Sequence, residues 1–280
     1  MKHIRFAAAA ALMVAAGVPA AAQGQQDFRW SGRLGSGEEI EIRNLNGDVR
    51  AEASSSGQVE VVGYRRGDDA ELVEIRVERQ GDGVTVCAVF PNSNRDRWGR
   101  DDDGDRGSRG GGVCSQPGRR TSQRNIDARV DFVVRVPAGV RLSAATVSGN
   151  VGARGLRGPV RATSVSGDVD VSTSGPAEAT SVSGNVTATL GGNAGRDLKF
   201  TSVSGNIVLR VPSGINADFS AKTLSGDIRS DFPITMQSRE RRGGWVNVRV
   251  GERATGTFGR GGPALEAETV SGDIRVERIR

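Results

Sequence analysis

Val147-Ser148-Gly149-Asn150-Val151 opens a series that repeats with little change to the end of the chain. It returns as Val165-Ser166-Gly167-Asp168-Val169, Val182-Ser183-Gly184-Asn185-Val186 and Val203-Ser204-Gly205-Asn206-Ile207. Leu224-Ser225-Gly226-Asp227-Ile228 and Val270-Ser271-Gly272-Asp273-Ile274 follow, and Leu45-Asn46-Gly47-Asp48-Val49 is a looser relative. A repeated Ser-Gly-Asp/Asn fits a tight corner. Glycine supplies a positive φ at no steric cost, and Asp or Asn braces nearby amides. Gly149, Gly167, Gly184, Gly205, Gly226 and Gly272, each followed by Asn150, Asp168, Asn185, Asn206, Asp227 or Asp273, are therefore expected at structural turns.

The flanks repeat too. Three residues before each first aliphatic stands Ala144, Ala162, Ala179, Phe200, Ala221 or Ala267. Immediately before it stands Thr146, Ser164, Ser181, Ser202, Thr223 or Thr269. The residues after each glycine read as a short strand with one face inward, and the alternation slips across the motif, as at a corner or bulge. Motif glycines are 18, 17, 21 and 21 residues apart, then 46. A period near 20 belongs to solenoids, whose units are too small to bury an apolar face alone and must stack. The long last gap carries Arg239-Glu240-Arg241-Arg242-Gly243-Gly244 before a strand-like 245–250. Strands are also expected at 39–43, 48–53, 58–62, 71–79, 83–90 and 126–136. The predicted fold is all-β: a parallel β-solenoid at 139–280, preceded by a less regular β region at 23–138 with a polar loop at 91–120. An antiparallel β-sandwich is the alternative.

The Thr/Ser-Val-Ser-Gly-Asp/Asn-Val/Ile units resemble a known group, together with the Val136-Pro137-Ala138-Gly139-Val140 turn and the closing Glu268-Thr269-Val270-Ser271-Gly272-Asp273-Ile274. They are similar to the bacterial β-strand-repeat proteins grouped with adhesins and filed as a domain of unknown function. The resemblance runs from about residue 40 to the C-terminus. It implies a right-handed, β-helix-like fold in the cell envelope or outside the cell, and no particular activity. The loop at 91–120 departs from the family pattern.

Residues 1–22 read as an export signal: Lys2 and Arg5, an apolar stretch over 6–18, Pro19, then Ala20-Ala21-Ala22. The apolar stretch is shorter than the ~18 residues a membrane span needs, so no transmembrane span is expected. Cleavage takes His3, the only histidine, and with it Ser-His-Asp and Cys-His catalysis. It leaves 36 basic against 33 acidic residues, a mild excess that reads as a solvated mixed face, and no nucleic-acid partner is expected. Cys87 and Cys114 would meet an oxidising compartment and are expected to form a disulfide, restricting the unfolded chain by about 3–4 kcal/mol on the entropic model.

Asp101-Asp102-Asp103-Gly104-Asp105 is read as a solvated loop, because its glycine falls fourth where an EF-hand needs it sixth. The motif acids recur in every unit and half of those positions are Asn, which fits corner bracing better than catalysis. The exposed hydroxyl positions and the Thr/Ser row before each motif are read either as a flat surface for a polymer or as ordinary β-formers. Trp98, an aromatic in a basic loop, is the candidate ligand contact. No cofactor, metal or catalytic residue is assigned. The expected function is that of an exported, periplasmic or secreted, non-catalytic protein. It would bind or scaffold an envelope polysaccharide or envelope protein through its solenoid surface. The alternatives are a carboxylate-dependent polysaccharide-active enzyme and a periplasmic protein partner in envelope-stress signalling.

Overall fold

The computed structural model describes residues 28–90, 126–192, 195–243 and 246–279. The leader at 1–22, the loop at 91–120 with Trp98, Asp101–Asp105 and Cys114, and Trp245 lie outside them. In chain order the strands are β1 (Phe28–Gly32), β2 (Glu39–Arg43), β3 (Val49–Ala53), β4 (Val59–Arg66), β5 (Glu74–Gln80), β6 (Gly83–Val89) and β7 (Arg129–Val136). The repeats supply β8 (Arg141–Ser148), β9 (Val151–Leu156), β10 (Val160–Ser166), β11 (Val169–Thr173), β12 (Ala177–Ser183), β13 (Val186–Leu190), β14 (Leu198–Ser204) and β15 (Ile207–Pro212). The remainder are β16 (Ala217–Ser225), β17 (Ile228–Ser230), β18 (Thr235–Gly243), β19 (Val246–Phe258), β20 (Ala264–Ser271) and β21 (Ile274–Ile279). The described residues contain no helix long and apolar enough to cross a membrane.

The strands form two sheets, of ten and eleven strands. Each repeat coil from β8–β9 on gives one strand to the eleven-stranded sheet, turns at Ser-Gly-Asx, and gives the next strand to the ten-stranded sheet; β2–β3 does the same at Asn46-Gly47-Asp48. Coils pair parallel and in register: Ala144 with Ala162, Ala162 with Ala179, Ala179 with Phe200. This is a β-solenoid. Among the described residues antiparallel pairing occurs only at the two ends, where β1, β4 and β5 flank one end and β18 and β19 the other.

Coil order departs from chain order at both ends. The last coil, β20–β21, sits between β14–β15 and β16–β17. At the other end β6 stacks on β2 and β7 on β3, so β2–β3 lies inside the β6–β7 coil. In both places an outer coil closes the stack and an antiparallel hairpin finishes its edge. Solenoid ends require such closure, since a bare parallel edge templates further pairing. The 46-residue glycine spacing is the excursion through β17, β18 and β19 and back into β20.

One apolar core runs the length of the stack, and the described residues of the less regular N-terminal segment, at 28–90 and 126–138, share it with the repeats. Alanines at 144, 162, 179, 221 and 267, with Phe200, line one sheet, while Val151, Val169, Val186, Ile207, Ile274 and Ile228 line the other. Small side chains on one sheet with branched ones on the other suit the narrow space between facing sheets. At the C-terminal end Phe258 stacks on Phe219 at 5.0 Å and on Phe232 at 4.5 Å, and the Arg278 guanidinium lies 4.6 Å from the Phe232 ring centroid.

Candidate functional site

The corner decides which motif groups remain available to a ligand. Each motif glycine has φ between 148° and 156°. A Cβ there would run into the carbonyl of the preceding coil's glycine: Gly149 against Gly47, Gly167 against Gly149, Gly184 against Gly167, Gly205 against Gly184. That carbonyl accepts a hydrogen bond from the buried hydroxyl of the next coil. Ser164 Oγ donates to Gly149 O at 2.8 Å, Ser181 to Gly167 at 2.9 Å, and Ser202 to Gly184 at 3.0 Å. The hydroxyl row before each motif is thus inside the fold rather than on its surface, because it satisfies a buried carbonyl. It offers nothing to a polymer.

The motif Asp and Asn residues form a second row. Asp48 Oδ1 accepts from the Asn150 N–H at 2.9 Å, Asn150 Oδ1 from Asp168 at 2.8 Å, and Asp168 Oδ1 from Asn185 at 2.7 Å. It continues through Asn185 to Asn206 at 3.0 Å, Asn206 to Asp273 at 2.8 Å and Asp273 to Asp227 at 2.9 Å. Asp131 begins it, accepting from the Asp48 N–H at 3.1 Å. Either Asp or Asn supplies the one oxygen each step needs, which accounts for their interchange. A single ladder uses every coil in the same way and sets no two carboxyls apart as acid and base.

The first aliphatic of the motif faces out. Val147, Val165, Val182, Val203, Val270 and Leu224 are 41–53 % exposed and stand in one line beside the corner. Six rungs at the ~4.8 Å strand spacing make a row about 24 Å long. The adjoining outward row varies from coil to coil: Ala145, Thr163, Thr180, Thr201, Glu268, Lys222. One solvent-facing position therefore stays aliphatic where its neighbour takes any polarity. Sequence reading passed over this row, although the signal was present. An inward alanine and an inward hydroxyl two residues later force the next side chain outward.

Charged pairs also stand on the eleven-stranded sheet's outer face. Arg161 bonds Glu178 at 3.0 Å, and that pairing holds the guanidinium above its ordinary value. Lys222 bonds Glu268 at 2.8 Å and holds the carboxyl below the usual carboxylate range. Two open hollows lie on the faces. One, of about 410 Å³, is bordered by Glu38, Glu39, Glu41, Asp82, Thr85 and Arg141. Within it Glu41 is already engaged by Thr85 Oγ1 at 2.9 Å and Arg43 Nε at 2.8 Å. The other, of about 250 Å³, lies on the ten-stranded sheet over Gly152. Cys87 is buried in β6. Among the described residues no three His, Cys, Asp or Glu side chains cluster to hold a metal.

Two facing sheets of in-register parallel strands, closed at Ser-Gly-Asx corners, define a β-solenoid built of short strand repeats. The chain belongs to the Toastrack family, DUF4097, whose pattern matches residues 35–277. Among solved structures it is similar to a "putative cell adhesion protein" from Clostridium sporogenes, with 7 % identity, 90 % of this chain and 99 % of that one covered, and a TM-score of 0.45. It is also similar to a "putative adhesin" from Bacteroides fragilis, with 12 % identity, 90 % and 96 % coverage and a TM-score of 0.36. No curated protein matches the chain.

Proposed function

We propose that this is an exported, non-catalytic protein of the cell envelope or the extracellular space, which binds its partner through the side of the solenoid. The observation that carries the reading is the outward aliphatic row from Val147 to Leu224. The fold does not need apolar side chains there, and contiguous exposed apolar surface on a soluble protein marks an interaction site. The corners argue in the same direction. One oxygen of each motif Asp or Asn and the buried hydroxyl before each motif hold coil to coil in the same way in every repeat, which makes a repetitive scaffold instead of a reactive pair. The leader at 1–22 supports export. In such a compartment Cys87 and Cys114 would pair and tether the loop at 91–120 to β6.

The apolar character of the row also favours the narrower reading of a protein ligand, a periplasmic partner in envelope-stress signalling. Aliphatic side chains are matched by protein side chains better than by a uniformly hydroxylated chain. Co-sedimentation of the mature protein with isolated envelopes tests the row. Val165→Glu with Val182→Glu should keep the strand-rich fold, since both side chains face solvent, and should lose retention at least tenfold. Retention equal to wild type by that folded variant would reject the row as the contact.

A further inference from the structure

The repeat is broken in one coil, and the break coincides with the second hollow. Along the outer face of the ten-stranded sheet one row reads Arg50, Gly152, Asp170, Thr187, Val208, Arg275. Gly152 is its only glycine. A Cβ at Gly152 would meet nothing within 4 Å, and its φ lies outside the left-handed region. Neither sterics nor backbone geometry asks for glycine, which weakens a strand by roughly 0.5–1 kcal/mol against alanine. Two residues on, β9 bulges. Val171 pairs with Ala153 but Thr173 pairs with Leu156, so both Arg154 and Gly155 stand opposite Ser172, with Gly155 at φ 63°. Bulges re-aim side chains. Here Arg154 Nη2 comes to 3.6 Å from Asp170 Oδ2, on the residue next to Gly152 in the row.

We propose that this hollow is a binding subsite for a neutral sugar residue of a glycan, with Gly152 as its floor. Arg50, Glu52, Arg154 and Asp170 stand round it, and Asp48 and Asn150 form its corner side. Both arginines are already paired with acids, Arg50 Nη2 to Asp48 Oδ2 at 2.8 Å and Arg154 to Asp170. Guanidinium–carboxylate pairs present donors and acceptors side by side, the complement of vicinal hydroxyls. Carboxylates outnumber guanidiniums in the lining, so a uronate or phosphate is repelled where an uncharged polyol is not. At about 250 Å³ the hollow falls below the roughly 300–1,000 Å³ of sites that enclose whole ligands, which suits one residue of a longer chain.

This inference rests on the binding reading above, and the test keeps the two apart. ¹⁵N-labelled mature protein is titrated with gluco-, manno- and N-acetylglucosamine oligosaccharides, with oligogalacturonate as the anionic control. At least one neutral series should shift the amides of Gly152, Arg154 and Asp170, and oligogalacturonate should not. Gly152→Thr should weaken that binding at least tenfold, with a melting temperature equal to or above wild type. The same variant should still be retained on envelopes through the aliphatic row. No shift with any neutral sugar, tighter binding of oligogalacturonate, or undiminished binding by Gly152→Thr would each overturn the subsite. Loss of envelope retention by wild type would instead overturn the broader reading.

Discussion

Replacing Gly205 by alanine isolates what holds the coils together. Gly205 has φ 156°, and a Cβ there would overlap the carbonyl of Gly184, a backbone atom held in place by Ser202 Oγ at 3.0 Å. A non-glycine residue in this region of φ costs about 1–3 kcal/mol. Relieving the overlap requires the corner to move. That move disturbs the Gly205 N–H bond to Ser271 O at 2.9 Å and the Asn206 N–H bond to Asn185 Oδ1 at 3.0 Å, each worth about 1 kcal/mol. The expected loss is therefore about 3–5 kcal/mol. At roughly 2–4 °C per kcal/mol for a chain of this size, Tm should fall by about 6–20 °C. Two other alanine variants separate the contributions. Gly155→Ala, at φ 63° with nothing within 4 Å, should lose only about 1–2 kcal/mol of backbone strain. Gly152→Ala carries neither penalty and should be neutral or slightly stabilising. Thermal unfolding followed by far-ultraviolet circular dichroism and by tryptophan fluorescence orders the three, and two probes reveal whether the stack unfolds in parts. If Gly205→Ala melts with Gly155→Ala, the coil-to-coil overlap is not what demands glycine, and the reasoning fails.

The Asx ladder makes a related prediction: Asn206→Asp should be nearly neutral, and Asn206→Ala should lose about 1 kcal/mol, because only an oxygen facing the Asp273 N–H is required. Urea midpoints of the two variants measure the difference, and equal midpoints would count against the ladder. The disulfide proposal predicts that neither Cys87 nor Cys114 is alkylated in unfolded protein before reduction, and that both are alkylated after it. Modification of both without reductant would reject the pairing. The depressed Glu268 carboxyl contributes stability that is present above the usual carboxylate range and lost as pH falls through its lowered folded value. A carboxyl-detected titration should show Glu268 moving back toward the usual range in Lys222→Met, and no movement would mean that Lys222 is not the cause.

Much of this architecture was legible because the repeat states its own geometry. A glycine every 17 to 21 residues, bracketed by a hydroxyl and an Asx, has few physical uses other than a recurring corner. The strand expected at 126–136 was equally plain from Arg129 on, with Val130, Phe132, Val134 and Val136 buried in β7, while Ala128 is buried and Ile126 half-buried just ahead of it. Coil order was not legible. Nothing in the local pattern of Val270 to Ile274 distinguishes a unit added after Leu224 from one inserted before it, since every coil presents the same register to either neighbour. Only the 46-residue spacing marked the place. β1 was also missed, because Phe28 to Gly32 shows half-buried alternation without a strong apolar face and is fixed by pairing with β4.

The Thr/Ser row shows why the surface was harder to read than the corner. A hydroxyl in a strand serves a carbonyl of the next coil as readily as a ligand, and burial of Ser164, Ser181 and Ser202 assigns it to the former. The aliphatic beside it reads as core in any composition count and becomes a surface feature only once the alternation is carried through the corner. The hollow over Gly152 depends on a bulge two residues away, which is a property of pairing between strands that no single segment carries.

The central claim is that this solenoid binds without cutting. Its most direct test incubates the purified mature protein with isolated envelopes and with a panel of purified glycans, measuring both what is retained and whether soluble fragments appear. The account predicts retention with no fragments over the background of buffer alone. Fragments that vanish when an acid outside the repeat, such as Glu39, is replaced would contradict it and make the protein an enzyme.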